Sequence, residues 1–286
     1  MRQRNLCHEG NTKVMIKRKK RIIEARNIDK SFDGLKVLYK VSLSLNEGET
    51  LGIAGASGSG KSTLSKILVG IMEPDSGEVL FRNELLPVVG KKRRDTSKYP
   101  IQMVFQNSKA AFDPSQTIGK SLSDVALRYE KGFIKSENGV LAKSCRTRAI
   151  KESVSEKIKE LLVQCELDPD LLERYPEQLS GGQLQRMAIC RAMLTEPKVL
   201  VADEIISALD IPVQLEVMRI LKKMIKKNGM TLIFISHDLN AISIMAEKTM
   251  VLSEGKLEFY DETGKLWDSE NETIKELITA SRVISV

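Results

Sequence analysis

Residues 55–62 restrict the fold of this chain more than any other segment. They read Gly-Ala-Ser-Gly-Ser-Gly-Lys-Ser, which fits the spacing G-x-x-x-x-G-K-[ST] of a phosphate-binding loop. Glycines allow such a loop to turn tightly, with its backbone N–H groups pointing at a polyphosphate. Lys61 can reach the outer phosphates as a point charge, and Ser62 offers a hydroxyl to Mg²⁺. The motif predicts a nucleoside triphosphate site, and the alternative is a flexible Gly/Ser turn without a ligand.

The surrounding pattern places this loop in a chain of alternating strands and helices. Strands are predicted at residues 21–28, 37–45, 49–54, 78–82, 101–105, 198–203 and 230–236, with a hairpin over 249–252 and 256–260. Helices are predicted at residues 62–70, 118–129, 147–165, 186–194 and 212–227, and from residue 271 onward. Residues 107–178 carry no strand pattern. They predict a helical subdomain inserted into an α/β core, with residues 131–144 as a loop inside it and residues 87–98 as an exposed basic loop before it.

Composition narrows the class of protein. The chain has 286 residues, of which 42% are hydrophobic, and no apolar run approaches the ~18 residues that span a bilayer. The N-terminus lacks the apolar stretch of a secretory signal. The cysteines are scattered without a C-x-x-C pair, which predicts reduced thiols in place of a metal site or a disulfide framework.

The net charge of +7 is concentrated at the N-terminus. Residues 1–30 contain ten Lys or Arg and three acids, which accounts for the whole excess. A nucleic-acid binder with a basic surface throughout is therefore not indicated. Residues 17–21 are all basic and predict a solvated tail, with contact to anionic lipid or RNA as the alternative. Met15 is a second possible start, which would make residues 1–14 dispensable.

Polar side chains follow three predicted buried strands, at the sheet edge where α/β proteins bind ligands. Asp203 is placed to hold Mg²⁺, and Glu204 comes next, where it can orient a water as a general base. Gln106 and His237 follow two other strands, and His237 is a candidate contact to the γ-phosphate. The alternatives are a helix N-cap for the two acids and ordinary surface positions for Gln106 and His237.

Two further features are candidate ligand contacts. Ser180 and Gln183 match the capping box of a helix start, and the two glycines between them leave bare N–H groups at its N-terminus, which suit an anion. The glycines are poor helix formers, costing about 1 kcal/mol each inside a helix, so capping alone does not account for them. Phe32 precedes Asp33-Gly34 and can stack on an adenine, with ordinary packing as the alternative.

Together these motifs resemble an ABC-transporter ATPase domain over about residues 22–280. In that family's terms they are the A-loop (Phe32), Walker A (55–62), Q-loop (Gln106), signature (179–183), Walker B (199–204), D-loop (207–210) and H-loop (His237). The resemblance implies an α/β P-loop NTPase with a RecA-like core, an antiparallel β subdomain and an inserted helical subdomain at about residues 108–180. It divides the chain into a basic tail (1–20), the ATPase domain (21–262) and a short C-terminal helical extension (263–286).

The resemblance also implies a site, with ATP and Mg²⁺ as its cofactors. The implied catalytic residues are Glu204, His237 and Gln106, and the implied metal ligands are Ser62, Gln106 and Asp203. The implied nucleotide contacts are Phe32, Gly55, Ala56, Ser57, Gly58, Ser59, Gly60, Lys61, Ser62, Thr63, Ser180, Gly181, Gly182 and Gln183. Phe32 stands where the family often has Tyr, and Ile205 stands where the family's branch of peptide and nickel importers usually has Pro. Every catalytic side chain is present, so we expect an active site.

A finer resemblance is to bacterial importers of oligopeptides, dipeptides and nickel. It rests on four segments, at residues 104–108, 112–119, 174–183 and 207–214. This branch implies two transmembrane permease subunits, a second ATPase subunit in a heterodimer or a homodimer, and an extracytoplasmic solute-binding protein. It implies no nucleic-acid partner and a peripheral position on the cytoplasmic face of the membrane. The alternatives are an exporter ATPase, a soluble ABC protein without a transport role, and a metabolic P-loop kinase.

Overall fold

The structure is a computed structural model that describes residues 20–88, 100–136 and 143–283. Its strands are β1 (Arg21–Phe32), β2 (Leu35–Asn46), β3 (Thr50–Ala54), β4 (Ser76–Phe81), β5 (Glu84–Leu85), β6 (Ile101–Val104), β7 (Val199–Asp203), β8 (Thr231–Ile235), β9 (Lys248–Ser253) and β10 (Lys256–Glu262). Its α-helices are α1 (Lys61–Leu68), α2 (Ile118–Ser136), α3 (Lys143–Gln164), α4 (Gly181–Met193), α5 (Ile211–Asn228), α6 (Leu239–Met245) and α7 (Glu272–Val283). Short 3-10 turns connect several of these elements.

The strands form two sheets. An antiparallel sheet has the order β2-β1-β4-β5, and a second sheet has the order β10-β9-β3-β8-β7-β6. In the second sheet, β6, β7, β8, β3 and β9 pair in parallel, and β10 is the antiparallel edge strand. The carboxyl ends of its parallel strands therefore meet at one edge, which is where the phosphate loop, Gln106, Asp203 and His237 follow.

Alternate residues of the parallel strands enter two different hydrophobic cores. In β8, Ile233 and Ile235 pack with residues of α1 and the antiparallel sheet, whereas Leu232 and Phe234 pack with α3, α4 and α5. All four side chains are fully buried. Strands covered on both faces have no polar side, which explains why the sequence shows continuous apolar runs here. The α/β fold class predicted from the sequence is confirmed.

The segment between β6 and β7 contains only helices and turns among its described residues. It is the predicted helical insertion, although its boundaries as a domain stay a prediction. The loop predicted for residues 131–144 is wrong in part, because α2 continues to Ser136 and α3 begins at Lys143. A single interior glycine costs a helix only about 1 kcal/mol, so Gly132 does not end α2. Residues 137–142 lie outside the described residues.

The remaining predictions from the sequence concern helix ends, short strands and membrane-spanning segments. Helix α5 ends at Asn228 and is capped by Gly229 in the left-handed conformation, as its Asn-Gly pair predicts. The short strand β5 had no sequence signal of its own. The basic tail and nearly all of the predicted 87–98 loop lie outside the described residues. Within the described ranges, no helix is both long enough and apolar enough to cross a bilayer.

Candidate functional site

The phosphate loop connects β3 to α1, and its backbone requires glycine at two positions. Gly55 has φ +148°, and a Cβ there would lie 2.2 Å from the carbonyl oxygen of Leu252. Gly60 has φ +98°, and its Cβ would lie 2.9 Å from the carbonyl oxygen of Val37. Side chains do not fit at either position, because neighbouring backbone occupies the space. Glycine is therefore required for the conformation and packing of this loop.

The turn between β9 and β10 supports the loop from outside. The backbone nitrogen of Gly255 donates to the carbonyl oxygen of Ser59 at 3.2 Å, and the carbonyl oxygen of Gly255 accepts from Tyr39 at 2.9 Å. A Cβ at Gly255 would lie 2.2 Å from the carbonyl oxygen of Val37. Backbone hydrogen bonds of Gly255 thus connect the phosphate loop, the β9–β10 turn and strand β2.

Lys61 is the first residue of α1 and is buried, with 4% of its surface exposed. Its Nζ donates to the carbonyl oxygens of Gly55 and Ala56, each at 2.8 Å, and lies 4.0 Å from Glu204 Oε1. Burial lowers the pKa of this ammonium, and the nearby Glu204 and Asp203 carboxylates oppose that effect. The side chain is held by the carbonyls of the loop's first two residues, which places its charge beside Glu204.

Asp203, the last residue of β7, is buried, and only one of its two carboxylate oxygens has a hydrogen-bond partner among the described residues. Its Oδ2 accepts from Ser65 Oγ at 3.3 Å, whereas Oδ1 has no hydrogen-bond partner among the described residues. Burial raises the pKa of this carboxyl, and hydrogen bonds from Ser65 and Ser62 act in the opposite direction. A buried carboxylate oxygen without a donor is costly unless a cation is nearby. This oxygen and the hydroxyl of Ser62 fit the oxygen ligands that Mg²⁺ prefers.

Glu204 follows β7 in a strained backbone conformation and lies beside Gln106. Its φ is +48°, and its backbone nitrogen donates to the carbonyl oxygen of Ile235 at 3.0 Å. A left-handed conformation costs a non-glycine residue about 1–2 kcal/mol, and such strain gathers at functional sites. The Oε2 atom of Glu204 accepts from Gln106 Nε2 at 3.2 Å, and the same nitrogen donates to Ser207 Oγ at 3.2 Å. The structure thus brings Lys61, Asp203, Glu204 and Gln106 together.

Phe32, His237 and residues 180–183 are not linked to this cluster by a hydrogen bond or an ion pair among the described residues. Phe32 ends β1 with 43% of its surface exposed, and Lys30 Nζ lies 5.5 Å from its ring centre. His237 follows β8 and is exposed. Across the described parts of the chain, no hydrogen bond or ion pair joins Phe32, His237 or residues 180–183 to the phosphate loop. Their roles toward a nucleotide stay predictions.

Residues 180–183 form the start of α4 in the manner predicted. Ser180 Oγ accepts from the backbone nitrogen of Gln183 at 3.3 Å, and Gln183 Oε1 accepts from the backbone nitrogen of Ser180 at 3.0 Å. The capping box is confirmed. A Cβ at Gly182 would lie 2.5 Å from Val213 Cγ1, so this glycine also lets α4 pack against α5. A Cβ at Gly181 would meet Leu209 Cδ2 at an ordinary 3.5 Å.

Two residues of the site were missed by the sequence reasoning. Ser65 lies one turn after Ser62 on α1, and its Oγ lies 2.9 Å from the carbonyl oxygen of Ser62 and 3.3 Å from Asp203 Oδ2, so its single proton serves one of these acceptors at a time. Its spacing from Ser62 on a predicted helix was a usable signal, because residues three apart share a face. Ser207 was noted as part of a motif but not as a side-chain partner of Gln106. Nothing local in the sequence indicates that contact.

Comparisons with known proteins agree on one family. A family model described as "ABC transporter" matches residues 38–207. The oligopeptide transport ATP-binding protein OppF of Haemophilus influenzae is 35% identical over 77% of this chain, which spans 62% of OppF. The nickel import ATP-binding protein NikE of Escherichia coli K12 is 38% identical over 77% of this chain and 76% of NikE.

Solved structures show the same fold. The dimeric structure of MJ0796, a bacterial ABC transporter cassette, has a TM-score of 0.69 and 28% identity, covering 85% of this chain and 99% of that one. The structure of cbiO1 from Clostridium perfringens, part of the transporter complex cbiONQ, has a TM-score of 0.72 and 25% identity, covering 94% of this chain and 100% of that one.

Proposed function

Because the chain belongs to the ABC transporter family, we propose that it is the ATP-hydrolysing subunit of a bacterial importer for peptides, nickel or a metal chelate. One observation carries the proposal. The buried, unpartnered Oδ1 of Asp203 lies in the same site as Lys61 and Glu204, beside a loop built to cradle phosphates. The cargo classes come from the names of the relatives OppF and NikE, which are an oligopeptide and a nickel transport protein.

In this proposal the loop residues from Gly55 to Thr63 hold the ATP phosphates, and Phe32 stacks on the adenine. Ser62, Asp203 and Gln106 would hold Mg²⁺, which would neutralise charge on the phosphates. Glu204 orients a water and accepts its proton, and the amide of Gln106 holds the carboxylate in place. His237 hydrogen-bonds the γ-phosphate and stabilises the charge that develops there.

The site is completed by a second ATPase subunit. The exposed start of α4, at residues 180–183, covers the nucleotide of the partner, and the partner's equivalent covers this one. A helix N-terminus with bare N–H groups suits this role because its dipole attracts anions. The solved dimer of MJ0796 supports such pairing. A heterodimer is expected, with a homodimer as the alternative, and a single chain should hydrolyse ATP poorly.

Two transmembrane permeases bind the ATPase pair at the cytoplasmic face of the membrane, and a solute-binding protein delivers cargo to them from outside. The ATPase domain has no need to touch the cargo, and no nucleic-acid partner is expected. The groove beside Gln106 and the helical segment between β6 and β7 are the surfaces through which motion would pass to the permeases.

The test replaces Glu204 by Gln in the full transporter. Glu204→Gln keeps the shape of the side chain but removes the general base, so ATP should remain bound while hydrolysis falls about 10²- to 10⁴-fold. Hydrolysis and retention of labelled ATP are measured together. Glu276→Gln, an exposed position on α7, is the matched control and should leave both unchanged. Undiminished turnover in Glu204→Gln would contradict the assignment.

The cargo requires a separate experiment. Uptake of labelled dipeptides, oligopeptides, nickel and cobalt is compared between a deletion strain and the same strain carrying the wild-type or Glu204→Gln chain. The proposal expects one of these cargoes to enter only with the wild-type chain. If the deletion strain instead loses export of a compound, the chain is the ATPase of an exporter. Co-purification of the chain with ribosomes or DNA, in place of permeases, would point to a role outside transport.

A further inference from the structure

We propose that Ser207 is a positioning residue that sets the orientation of the Gln106 side-chain amide, so that its oxygen is the atom available to a divalent cation. The inference rests on the proposed function, because the cation is the one that accompanies ATP. An amide side chain has one accepting end and one donating end. Only the oxygen can bind a metal ion, so the direction in which the amide points decides whether Gln106 can be a ligand.

The first constraint on this amide comes from Glu204. Gln106 Nε2 lies 3.2 Å from Glu204 Oε2. An ionised carboxylate only accepts hydrogen bonds, so it selects the NH₂ end of the amide. Gln106 is exposed, however, and the terminal torsion of a glutamine is broad and roughly two-fold. One hydrogen bond to a side chain is a weak restraint on such a group.

The second constraint comes from the hydrogen bond between Ser207 and Gln106. The number of hydroxyl protons decides which of the two residues donates in it. Ser207 Oγ lies 3.0 Å from the carbonyl oxygen of Glu204, which can only accept, so the single hydroxyl proton is used there. The same Oγ lies 3.2 Å from Gln106 Nε2 and must therefore accept from it. A hydroxyl that faced the amide with its own proton would select the opposite orientation. The backbone of Glu204 thus makes Ser207 an acceptor.

Both restraints use the same nitrogen and leave the oxygen free. Across residues 20–88, 100–136 and 143–283, no donor contacts Gln106 Oε1. Mg²⁺ prefers oxygen ligands, and Asp203 already provides an unpartnered oxygen in this site. Without the Ser207 hydroxyl, only the bond to Glu204 holds the amide, and the flipped state becomes accessible. We therefore expect Ser207 to affect cation affinity through Gln106, without touching the cation.

The experiment measures cation binding in the absence of turnover. The full-length chain is loaded with the non-hydrolysable analogue AMP-PNP and titrated with Mn²⁺, followed by electron paramagnetic resonance. Ser207→Ala should weaken Mn²⁺ binding about three- to tenfold, the effect of losing one hydrogen bond. Ser207→Thr keeps the hydroxyl and should stay within about twofold of wild type. Ser123→Ala, on α2, is the matched control and should bind Mn²⁺ as wild type does.

A second titration separates positioning from general damage to the site. A fluorescent ATP analogue is titrated in EDTA, where no cation contributes, and Ser207→Ala should bind it as tightly as wild type. The inference is overturned if Ser207→Ala leaves Mn²⁺ affinity unchanged, if Ser207→Thr is weakened equally, or if nucleotide affinity in EDTA falls in parallel. A wild-type chain that binds no nucleotide under any condition would instead overturn the proposed function, and the inference with it.

Discussion

Replacement by alanine should affect stability differently at Gly181 and Gly182, the adjacent glycines at the start of α4. At Gly182, an alanine Cβ would lie 2.5 Å from Val213 Cγ1, closer than packed carbon atoms approach. Val213 is β-branched and lies in α5, so its χ1 angle has one strongly preferred value and cannot easily move aside. At Gly181, the added Cβ would make an ordinary contact at 3.5 Å. We therefore expect Gly182→Ala to destabilise the chain and Gly181→Ala to be neutral or stabilising.

The difference between the two variants can be estimated from the structure. Both lie in the first turn of α4, so the gain from replacing glycine by alanine, up to about 1 kcal/mol, applies to both and cancels in the comparison. The remaining contribution is overpacking at Gly182, which costs about 1–3 kcal/mol. In a chain of this size, 1 kcal/mol shifts the melting temperature by about 2–4 °C. Gly182→Ala should therefore melt about 2–12 °C below Gly181→Ala.

Thermal unfolding followed by circular dichroism measures this difference directly. A double variant tests the cause, because Val213→Ala removes the atom that the new Cβ would meet. Gly182→Ala should cost less in the Val213→Ala background than in wild type, a coupling of about 0.5–3 kcal/mol. The reasoning is refuted if Gly182→Ala melts at or above Gly181→Ala, or if its cost is the same in both backgrounds.

Two further predictions concern the adenine contact and acid stability. Phe32→Ala should weaken ATP binding by about 1–3 kcal/mol in a fluorescent-nucleotide titration, because stacking on the base is lost. Phe32→Tyr retains an aromatic ring and should bind ATP as wild type does. Equal affinity in wild type and both variants would contradict stacking. Lys36, Ser76 and the backbone of Lys40 hold the pKa of Asp29 down at about 2. Its stabilising contribution is therefore present above its ordinary pKa of 3.8 and is lost as the pH falls toward about 2. Asp29→Asn should lower the urea midpoint at pH 7, with a gap to wild type that closes near pH 2; a gap of constant size would contradict this.

Much of the arrangement of the candidate site could be predicted because its signals are local. The glycine spacing at residues 55–62 and the two acids after an apolar run each depend on a few neighbouring residues. Parallel pairing then brings the carboxyl ends of the strands to one edge, so Gln106 and Glu204 meet although β6 and β7 lie far apart in sequence. The family and fold expectations are confirmed by the comparisons. The roles of residues 180–183 and His237 depend on a nucleotide and a second subunit, and stay predictions.

Other features depend on tertiary geometry and left no local pattern. The hydrogen bond from Ser207 to Glu204 and the left-handed backbone of Glu204 follow from how the segment after β7 fits against the end of β8. The packing reason for Gly182 is a contact with α5, which the capping-box pattern does not contain. The loop predicted at residues 131–144 failed for the opposite reason. Gly132 favours the end of a helix, but this local preference is small, and α2 continues past it.

The contact of Gly255 with the phosphate loop has a consequence for how the chain acquires its shape during synthesis. Ser59 is made early and Gly255 late, and most of the chain separates them in sequence. Domains form as units while the ribosome adds residues at about 5–20 per second, so the loop must wait for the final hairpin before its outer support is in place. A nascent chain stopped before this hairpin would lack that support. Maturation of the binding loop is thereby coupled to synthesis of the β9–β10 hairpin.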